Sequence, residues 1–350
     1  MKNILVTGGA GFIGSNFVRR VLDLKKEWRI VVWDALTYAG NIENLDGLKK
    51  KYKERFNFVK IDIRDKDRVN ELFPKEQFDG VFHFAAESHV DRSILGPLTF
   101  VETNVLGTVN LLEAARKNLK SENFRFLHIS TDEVYGTLGE DGFFTEKTKI
   151  DPSSPYSTSK AASDLFVLAY HKTYRLNVVI TRCCNNYGPY QFPEKLIPFM
   201  IKRAIDGEKL PVYGDGKNVR DWIFVDDHND GTILAFEKGK AGEIYNLGAR
   251  CEKRNIDLVN LLIEKLKIYL KDRKDFVEPK IEFVKDRPGH DFRYAIDPSK
   301  AESELNFKPK VSFEEGIDKT IKWYIENEVW WRRIISGEYL EYVKKQYENN

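Results

Sequence analysis

The chain has 350 residues, and its 56 Lys and Arg nearly balance its 54 Asp and Glu, which argues against a nucleic-acid partner. Three cysteines and six scattered histidines predict neither a disulfide framework nor a metal site. No segment approaches the roughly 18 apolar residues of a membrane span, and no signal-peptide pattern is present, so we expect a soluble, cytoplasmic protein without a membrane partner.

The first half of the chain alternates short apolar runs with segments of helical period. The runs that read as buried strands are NILVTG, RIVVWD, FNFVKID, GVFHFAA, RFLHIST and NVVITRC. This alternation predicts an α/β fold with a Rossmann-type, doubly wound parallel sheet. Helices are predicted at 104–117, where Val105, Val109 and Leu112 share a face, and at 156–174.

Beyond about residue 190 the pattern changes to Gly- and Pro-rich loops, followed by predicted helices near 256–270 and 313–327. We therefore expect two lobes, a first domain at 1–185 and a smaller C-terminal α/β lobe formed mainly by 186–350. The later segments IFVDD and EIYNLG, within 221–250, read as strands that return to the first domain.

A glycine-rich segment, TGGAGFIG, follows the first strand and precedes a helical pattern. Gly8, Gly11 and Gly14 allow a tight turn in which backbone N–H groups approach a pyrophosphate at a helix N-terminus. Asp34 ends the second strand and suits a ribose diol, and its charge would repel a 2′-phosphate, so NAD is favoured over NADP. The alternative is a glycine turn and a strand-end Asp without a ligand.

Tyr156 and Lys160 in YSTSK are four residues apart, which places both side chains on one face of a helix. A phenol has a pKa of about 10, and an ammonium roughly 6 Å away stabilises the phenolate by about two pKa units. The alternative is an ordinary surface pair. A second match, Tyr213 and Lys217 in YGDGK, contains two glycines and predicts a turn.

Two adjacent acids, Asp132 and Glu133, stand where the apolar run RFLHIST ends. Successive side chains at a strand end point in different directions, so one segment can serve two neighbouring atoms of a ligand. Acid and base roles require different protonation, which burial and repulsion can produce. The alternative is a solvated pair in a chain where 31% of residues are charged.

With the motifs above, HFAA, DALTYAGN, AAESHVDRSI, NNYGPYQFPEKLIP, RDWIFVDDH, RPGHD and WWRR resemble the extended short-chain dehydrogenase/reductase family. Within that family, nearly the whole chain is similar to the dTDP-glucose 4,6-dehydratases. The resemblance implies an NAD-dependent lyase that converts dTDP-glucose to dTDP-4-keto-6-deoxyglucose and water, as in the biosynthesis of rhamnose and other deoxysugars. It also implies a homodimer that pairs the helices at 104–117 and 156–174.

The resemblance implies a role for each of five catalytic residues. Thr131 hydrogen-bonds the sugar, Tyr156 takes the proton of the C4 hydroxyl, and Lys160 binds the nicotinamide ribose. Glu133 removes the C5 proton, while Asp132 protonates the departing C6 hydroxyl. Hydride passes from C4 to NAD and returns to C6.

The resemblance also implies two sets of binding residues and no metal ligands. The cofactor set is Gly8, Gly11, Phe12, Ile13, Gly14, Asp34, Leu36, Tyr38, Gly40, Asp62, Ile63, Ala85, Ala86, Ser88, Thr103, Tyr156, Lys160 and Asn186. The substrate set is Ser88, Thr131, Asn185, Lys195, Leu196, Pro211, Tyr213, Arg220, Asn255, Arg287 and His290.

Three alternatives remain open at this point. A nucleotide-sugar 4-epimerase shares the glycine loop and the Tyr/Lys pair but has no need of both acids. A UDP-sugar 4,6-dehydratase differs from the dTDP enzyme by few contacts. An NAD(H)-sensing regulatory protein would keep the fold without needing Asp132, Glu133, Tyr156 and Lys160 together.

Overall fold

A computed structural model describes residues 1–119, 123–286 and 289–337. The strands are β1 Lys2–Thr7, β2 Trp28–Asp34, β3 Phe56–Lys60, β4 Gly80–His83, β5 Arg125–Thr131, β6 Val178–Cys183, β7 Asn185–Tyr187, β8 Leu210–Tyr213, β9 Val219–Phe224, β10 Ile244–Leu247, β11 Glu252–Arg254 and β12 Ile281–Val284. The α-helices are α1 Phe12–Leu24, α2 Leu48–Tyr52, α3 Lys66–Glu76, α4 Val90–Leu95, α5 Pro97–Phe100, α6 Thr108–Lys117, α7 Pro155–Tyr174, α8 Leu196–Ile205, α9 Val225–Lys238, α10 Asn255–Tyr269, α11 Ser299–Leu305, α12 Phe313–Glu326 and α13 Glu328–Ser336. Short 3₁₀ helices span Ile42–Leu45, Lys53–Arg55 and Asp132–Tyr135, and a π-helical turn spans Val101–Gly107.

The first lobe is built on a parallel sheet of seven strands in the order β10-β6-β5-β4-β1-β2-β3. Its strands are continuous apolar runs because helices cover both faces: Ile4, Leu5 and Val6 of β1 are all fully buried. The strand order reverses between β1 and β4, which opens a crevice at their carboxyl ends. The predicted doubly wound α/β sheet is confirmed.

The two predicted helices that flank this crevice are present, with altered details. The second is α7, which begins at Pro155 after a capping box between Ser154 and Ser157. The first is α6 preceded by the π-helical turn, so the helical path begins before residue 104. Because a π-helical turn changes the angular spacing of side chains, Val105 and Val109 are only partly buried.

The second lobe packs α8, α10, α12 and α13 around a separate apolar core. It contains a three-stranded sheet, β11-β9-β7, and a two-stranded parallel sheet, β12-β8. The segment EIYNLG supplies β10, which pairs with β6 at the edge of the large sheet. The segment IFVDD differs from expectation, because it ends β9 of the small sheet and then begins α9, which packs on α1.

Within the three described stretches of chain, no helix is long and apolar enough to cross a membrane.

Candidate active site

A cleft opens at the carboxyl edge of the large sheet, where the β1/β4 crevice predicts a ligand. The ends of β1, β2, β4, β5 and β6 line its floor. The start of α1, residues of α7 and the loop before α8 form its walls. The cleft therefore brings together motifs that are far apart in the sequence.

The glycine loop forms one end of this cleft. Gly8 has a φ of +69°, and a Cβ there would lie 2.5 Å from the Ala85 backbone nitrogen. A Cβ on Gly14 would lie 2.2 Å from the Gly8 carbonyl oxygen. Helix α1 follows with Gly11 at its N-cap and no acidic residue in its first turn, so its amide groups suit an anion. This backbone cradle fits a dinucleotide pyrophosphate.

Asp34 lies beside the glycine loop and is almost fully buried. Its Oδ2 accepts a hydrogen bond from the Ala10 N–H at 2.9 Å, and its Oδ1 accepts one from the Leu36 N–H at 2.8 Å. Each carboxylate oxygen keeps a second lone pair, so the residue can hold the loop and still accept from a ribose diol. Burial raises the pKa of Asp34, against the effect of these two N–H donors.

The two adjacent acids lie on a 3₁₀ helix that begins directly after the end of β5. The Thr131 hydroxyl caps this helix by accepting from the Glu133 N–H at 3.3 Å. Successive residues of a 3₁₀ helix are about 120° apart, so Asp132 and Glu133 diverge as expected, although a helical turn and not a strand end produces the divergence. Both side chains line the cleft.

The two acids differ in burial, and therefore in protonation. Asp132 is 2% exposed, whereas Glu133 is partly exposed. Burial, followed by the charges of Glu133 and Asp221, raises the pKa of Asp132 well above its usual range. Its Oδ2 has no hydrogen-bond partner among the described residues. Asp132 is thus built to hold a proton and offer it to a ligand.

Tyr156 lines the same part of the cleft, close to the Thr131 hydroxyl. Burial and the charge of Glu133 raise the pKa of Tyr156 well above its usual value, so the phenol is protonated. This differs from the expectation that Lys160 stabilises a phenolate in the protein by itself.

Lys160 is held by a backbone partner. Its ammonium is buried and donates a hydrogen bond of 2.8 Å to the Ile129 carbonyl oxygen near the end of β5. Burial lowers the pKa of Lys160 to about 8, so this ammonium loses its proton more readily than that of an exposed lysine. The i,i+4 spacing correctly predicted a shared helix face, but it did not predict this backbone partner.

The predicted cofactor residues, with the exception of Leu36, line the cleft. Leu36 lies behind it, buried and with a φ of +54°, and contributes its N–H to Asp34. Several other residues that were not predicted from the sequence also line the cleft: Trp33, Ala35, Thr37, Ala39, Ile61, Arg64, Phe84, Glu87, Ile129, Ser130, Cys183, Cys184, Gln191 and Phe192. Many of these residues directly flank a strand end or a predicted residue. That position in the sequence could have been used to predict them.

The predicted substrate residues fall into two groups. Ser88, Thr131, Asn185 and Lys195 line the cleft, and the Lys195 ammonium donates to the Ser88 carbonyl oxygen at 2.9 Å. Outside its lining lie Leu196, Pro211, Tyr213, Arg220, Asn255 and His290. Arg287 lies outside the described residues.

Arg220 shows how the second group is held. Its guanidinium is buried and donates to the carbonyl oxygens of Asp291, at 2.9 Å, and Val219, at 2.7 Å. The guanidinium carbon also lies 4.3 Å from the centre of the Tyr294 ring. His290 makes a 2.7 Å contact with Asp286. Arg220 and His290 are thus held by contacts with Asp291, Tyr294 and Asp286.

A search of the described residues finds no group of three or more His, Cys, Asp and Glu side chains that could hold a metal ion.

The family model described as GDP-mannose 4,6 dehydratase matches residues 5–320 of the chain. A dTDP-glucose 4,6-dehydratase of Xanthomonas campestris pv. campestris (strain B100) is 52% identical over 347 residues, which cover 97% of this chain and 97% of the relative.

Two solved structures show the same fold. A dTDP-glucose 4,6-dehydratase of Streptomyces venezuelae, solved with NAD and a second ligand, is 47% identical with a TM-score of 0.88, covering 95% of this chain and 99% of its own. A UDP-glucose 4-epimerase of Thermus thermophilus, solved with NAD, is 30% identical with a TM-score of 0.83, covering 93% and 99%. The TM-scores therefore distinguish the dehydratase from the epimerase poorly, whereas the sequence identities distinguish them better.

Proposed function

The chain belongs to the GDP-mannose 4,6 dehydratase family, and from this premise we propose that it acts as an NAD-dependent dTDP-glucose 4,6-dehydratase. The family description names GDP-mannose, so the choice of dTDP-glucose rests on identities near 50% with dTDP-glucose 4,6-dehydratases. The identity to the 4-epimerase is 30%, which makes that alternative less favoured.

The observation that carries the proposal is the pair formed by buried Asp132 and partly exposed Glu133 at the cleft. Elimination of water from C5 and C6 needs a base for the C5 proton and an acid for the departing C6 hydroxyl. An epimerase, which only removes and returns hydrogen at C4, needs neither group. A protonated acid next to a second carboxylate is therefore specific to dehydration.

NAD, held by the glycine loop and Asp34, would supply the acceptor for the C4 hydride and the source of the hydride that returns to C6. In our assignment Tyr156 loses its own proton to solvent when the positive charge of NAD is present, and the resulting phenolate takes the proton of the C4 hydroxyl. The ketone formed at C4 acidifies the C5 hydrogen, which Glu133 removes. Asp132 gives its proton to the C6 hydroxyl, which leaves as water, and a proton then returns to C5.

We assign residues 1–185 to NAD binding, with β10 at the edge of the same sheet. Residues 186–350 mainly bind the nucleotide sugar. Arginine suits the diphosphate because its planar fork can hold two phosphate oxygens. In this assignment the diphosphate lies between the cleft, at Asn185 and Lys195, and the second lobe, where Arg220 is placed.

The test is a product assay with dTDP-glucose that carries deuterium at C4. We expect dTDP-4-keto-6-deoxyglucose with the deuterium at C6, and faster turnover than with UDP-, GDP- or CDP-glucose. A product that is only the C4 epimer would support the epimerase. Absence of turnover with every nucleotide sugar, despite NAD binding, would support a sensing protein.

We also propose a homodimer. Exposed apolar side chains cluster on the path from α4 through the π-helical turn and on α7: Leu95, Leu98, Val101, Leu106, Leu165 and Phe166. The apolar side chains of α6 itself are mostly buried within the protein, so the expected interface moves toward residues 94–106. Such a patch on a protein surface is typical of an interface. Sedimentation of the protein and of Leu165→Asp at micromolar concentration tests it, since a monomer in both would contradict the proposal.

A further inference from the structure

A layer of buried polar side chains lies beneath the cleft, on the sheet face that α7 covers. His83 of β4 and His128 of β5 are paired in register, with ring centroids 5.2 Å apart. Asp164 follows Lys160 by one turn of α7, and Arg182 comes from β6. All four are buried, and the chemistry described above gives none of them a role.

The centre of this layer is an ion pair. The Asp164 Oδ2 accepts from the Arg182 Nε at 2.9 Å, and its Oδ1 lies 3.4 Å from the His128 Nε2. The Arg182 guanidinium carbon lies 4.7 Å from the centre of the Tyr135 ring. Because a buried ion pair contributes little net stability compared with apolar packing, stability alone does not explain two charges at this position.

Of the titratable groups around Lys160, some are neutral near pH 7 and one is a carboxylate. The titratable groups that interact electrostatically with Lys160 are Asp164 of α7, His83 of β4, His128 of β5 and Cys183 of β6, while Arg182 of β6 acts on Asp164. Burial lowers the pKa of His128 to about 4 and that of His83 well below its usual value, so both rings are neutral near pH 7. Burial also raises the pKa of Cys183 to about 12. Although burial opposes it, Arg182 and His128 hold the pKa of Asp164 at about 2, so this carboxylate is the negative charge of the group.

We propose that Asp164 is a positioning residue: it lies one turn of α7 from Lys160 and is fixed by Arg182, and its carboxylate keeps the Lys160 ammonium cationic at the cleft. Burial lowers the pKa of Lys160 to about 8, and Asp164 opposes that fall. Without the carboxylate, the Lys160 ammonium would lose its proton nearer to neutral pH, and its charge would no longer assist the Tyr156 phenol. This inference rests on the proposed function, because it gives Lys160 a role in oxidation of the sugar.

The experiment measures the Lys160 proton in two independent ways. The first is the pH dependence of amine labelling at Lys160, read by mass spectrometry, which needs no turnover. The second is the pH dependence of NADH formation when the holoenzyme meets dTDP-glucose. In Asp164→Asn we expect the Lys160 titration and the alkaline limb of NADH formation to move down by about one pH unit, a tenfold change in proton affinity.

Three variants complete the design. Asp164→Ser leaves room for a water molecule, and it should show the same downward shift if Asp164→Asn does not fold. Asp164→Glu retains the negative charge and should restore the alkaline limb of NADH formation. Asp227→Asn is the matched control, since Asp227 is also buried but accepts from the Val311 N–H at 2.8 Å, in a different part of the protein.

The outcomes separate the two proposals. A Lys160 titration that is unchanged in the neutral Asp164 variants, or that moves equally in Asp227→Asn, overturns the positioning role. A wild-type protein that forms no keto sugar overturns the proposed function, while the labelling still reports whether Asp164 controls Lys160.

Discussion

The cofactor half and the nucleotide half of the site are built differently. In the cofactor half, backbone atoms of one sheet edge form the cradle, and Gly8, Gly14 and Asp34 are fixed by contacts within a single lobe. In the nucleotide half, Lys195 reaches the cleft, whereas Arg220 is held by Asp291 and His290 by Asp286.

This difference shows which part of an enzyme a fold can complete without its ligand. Parallel strands end at one edge, so their carboxyl ends form a cofactor site as soon as the sheet forms. A diphosphate that lies between two lobes needs side chains from both. These side chains pair with carbonyl oxygens and carboxylates, because buried guanidinium groups require partners.

The largest expected effect is at Glu133, which follows β5 at the sheet edge that also carries the cofactor half. We expect Glu133→Gln to lower the overall rate by about 10²- to 10⁴-fold, because the amide cannot remove the C5 proton. Bound NAD should still be reduced when dTDP-glucose is added, and stopped-flow absorbance of NADH would show it. Glu140→Gln, at an exposed residue in the same segment, is the control. A normal overall rate in Glu133→Gln would remove Glu133 from the mechanism.

The second effect concerns the stability of the first lobe at acidic pH, where His128 of β5 is buried. Burial, followed by the charge of Lys160, lowers the pKa of His128 to about 4, below the unfolded value of about 6.5. The unfolded chain therefore binds a proton that the folded protein does not, between these two values. The stability that neutral His128 provides is complete above about pH 6.5 and is lost as the pH falls toward about 4, by about 3 kcal/mol.

Urea unfolding between about pH 7 and about pH 4 measures this loss. In His128→Asn the free energy of unfolding should depend less on pH than in wild type. The carboxylates contribute equally to the pH dependence of both proteins, so the difference reports His128. His171→Asn, at a partly buried histidine of α7, serves as the control for loss of a histidine side chain. An equal slope in all three proteins would mean that His128 already carries its proton in the folded state.

The third effect tests how tightly the cradle is closed. In Gly14→Ala the new Cβ would lie 2.2 Å from the Gly8 carbonyl oxygen, so the loop must move, at a cost of about 1–3 kcal/mol. We expect NAD affinity to fall by roughly tenfold or more, measured by titration of the stripped protein. At Gly139 a Cβ meets nothing within 4 Å, so Gly139→Ala should bind NAD as wild type does. Equal NAD affinities of Gly14→Ala and wild type would show that the glycine loop can move to accommodate the Cβ without loss of binding.

The same contrast explains what the sequence predicted. Gly14 and Asp34 lie in local patterns whose chemistry is set by a strand, a turn and a helix, so their place in the cleft followed from the motif. The spacing of Tyr156 and Lys160 likewise required only a helix. The hydrogen bond from Lys160 to the Ile129 carbonyl oxygen depends on how α7 packs on β5, which no local pattern encodes.

Other features depended on tertiary contacts for the same reason. The π-helical turn before α6 changed which apolar residues face the core, although the sequence reads as a regular helix. Cys183 and Glu87 line the cleft because neighbouring strands end together, and they carry no motif of their own. The position of Arg220, stacked on Tyr294, depends on a segment about 70 residues later in the chain.

The smallest expected effect tests whether Arg220 belongs to the nucleotide half at all. If its guanidinium holds the diphosphate, Arg220→Lys loses one fork-shaped contact, and KM for dTDP-glucose should rise about tenfold while kcat and bound NAD stay the same. Arg254→Lys is the matched control, because Arg254 is exposed on β11 and pairs with Asp257 at 2.7 Å. A lower Tm with an unchanged KM would instead show that Arg220 serves to hold the segment around Asp291 in place.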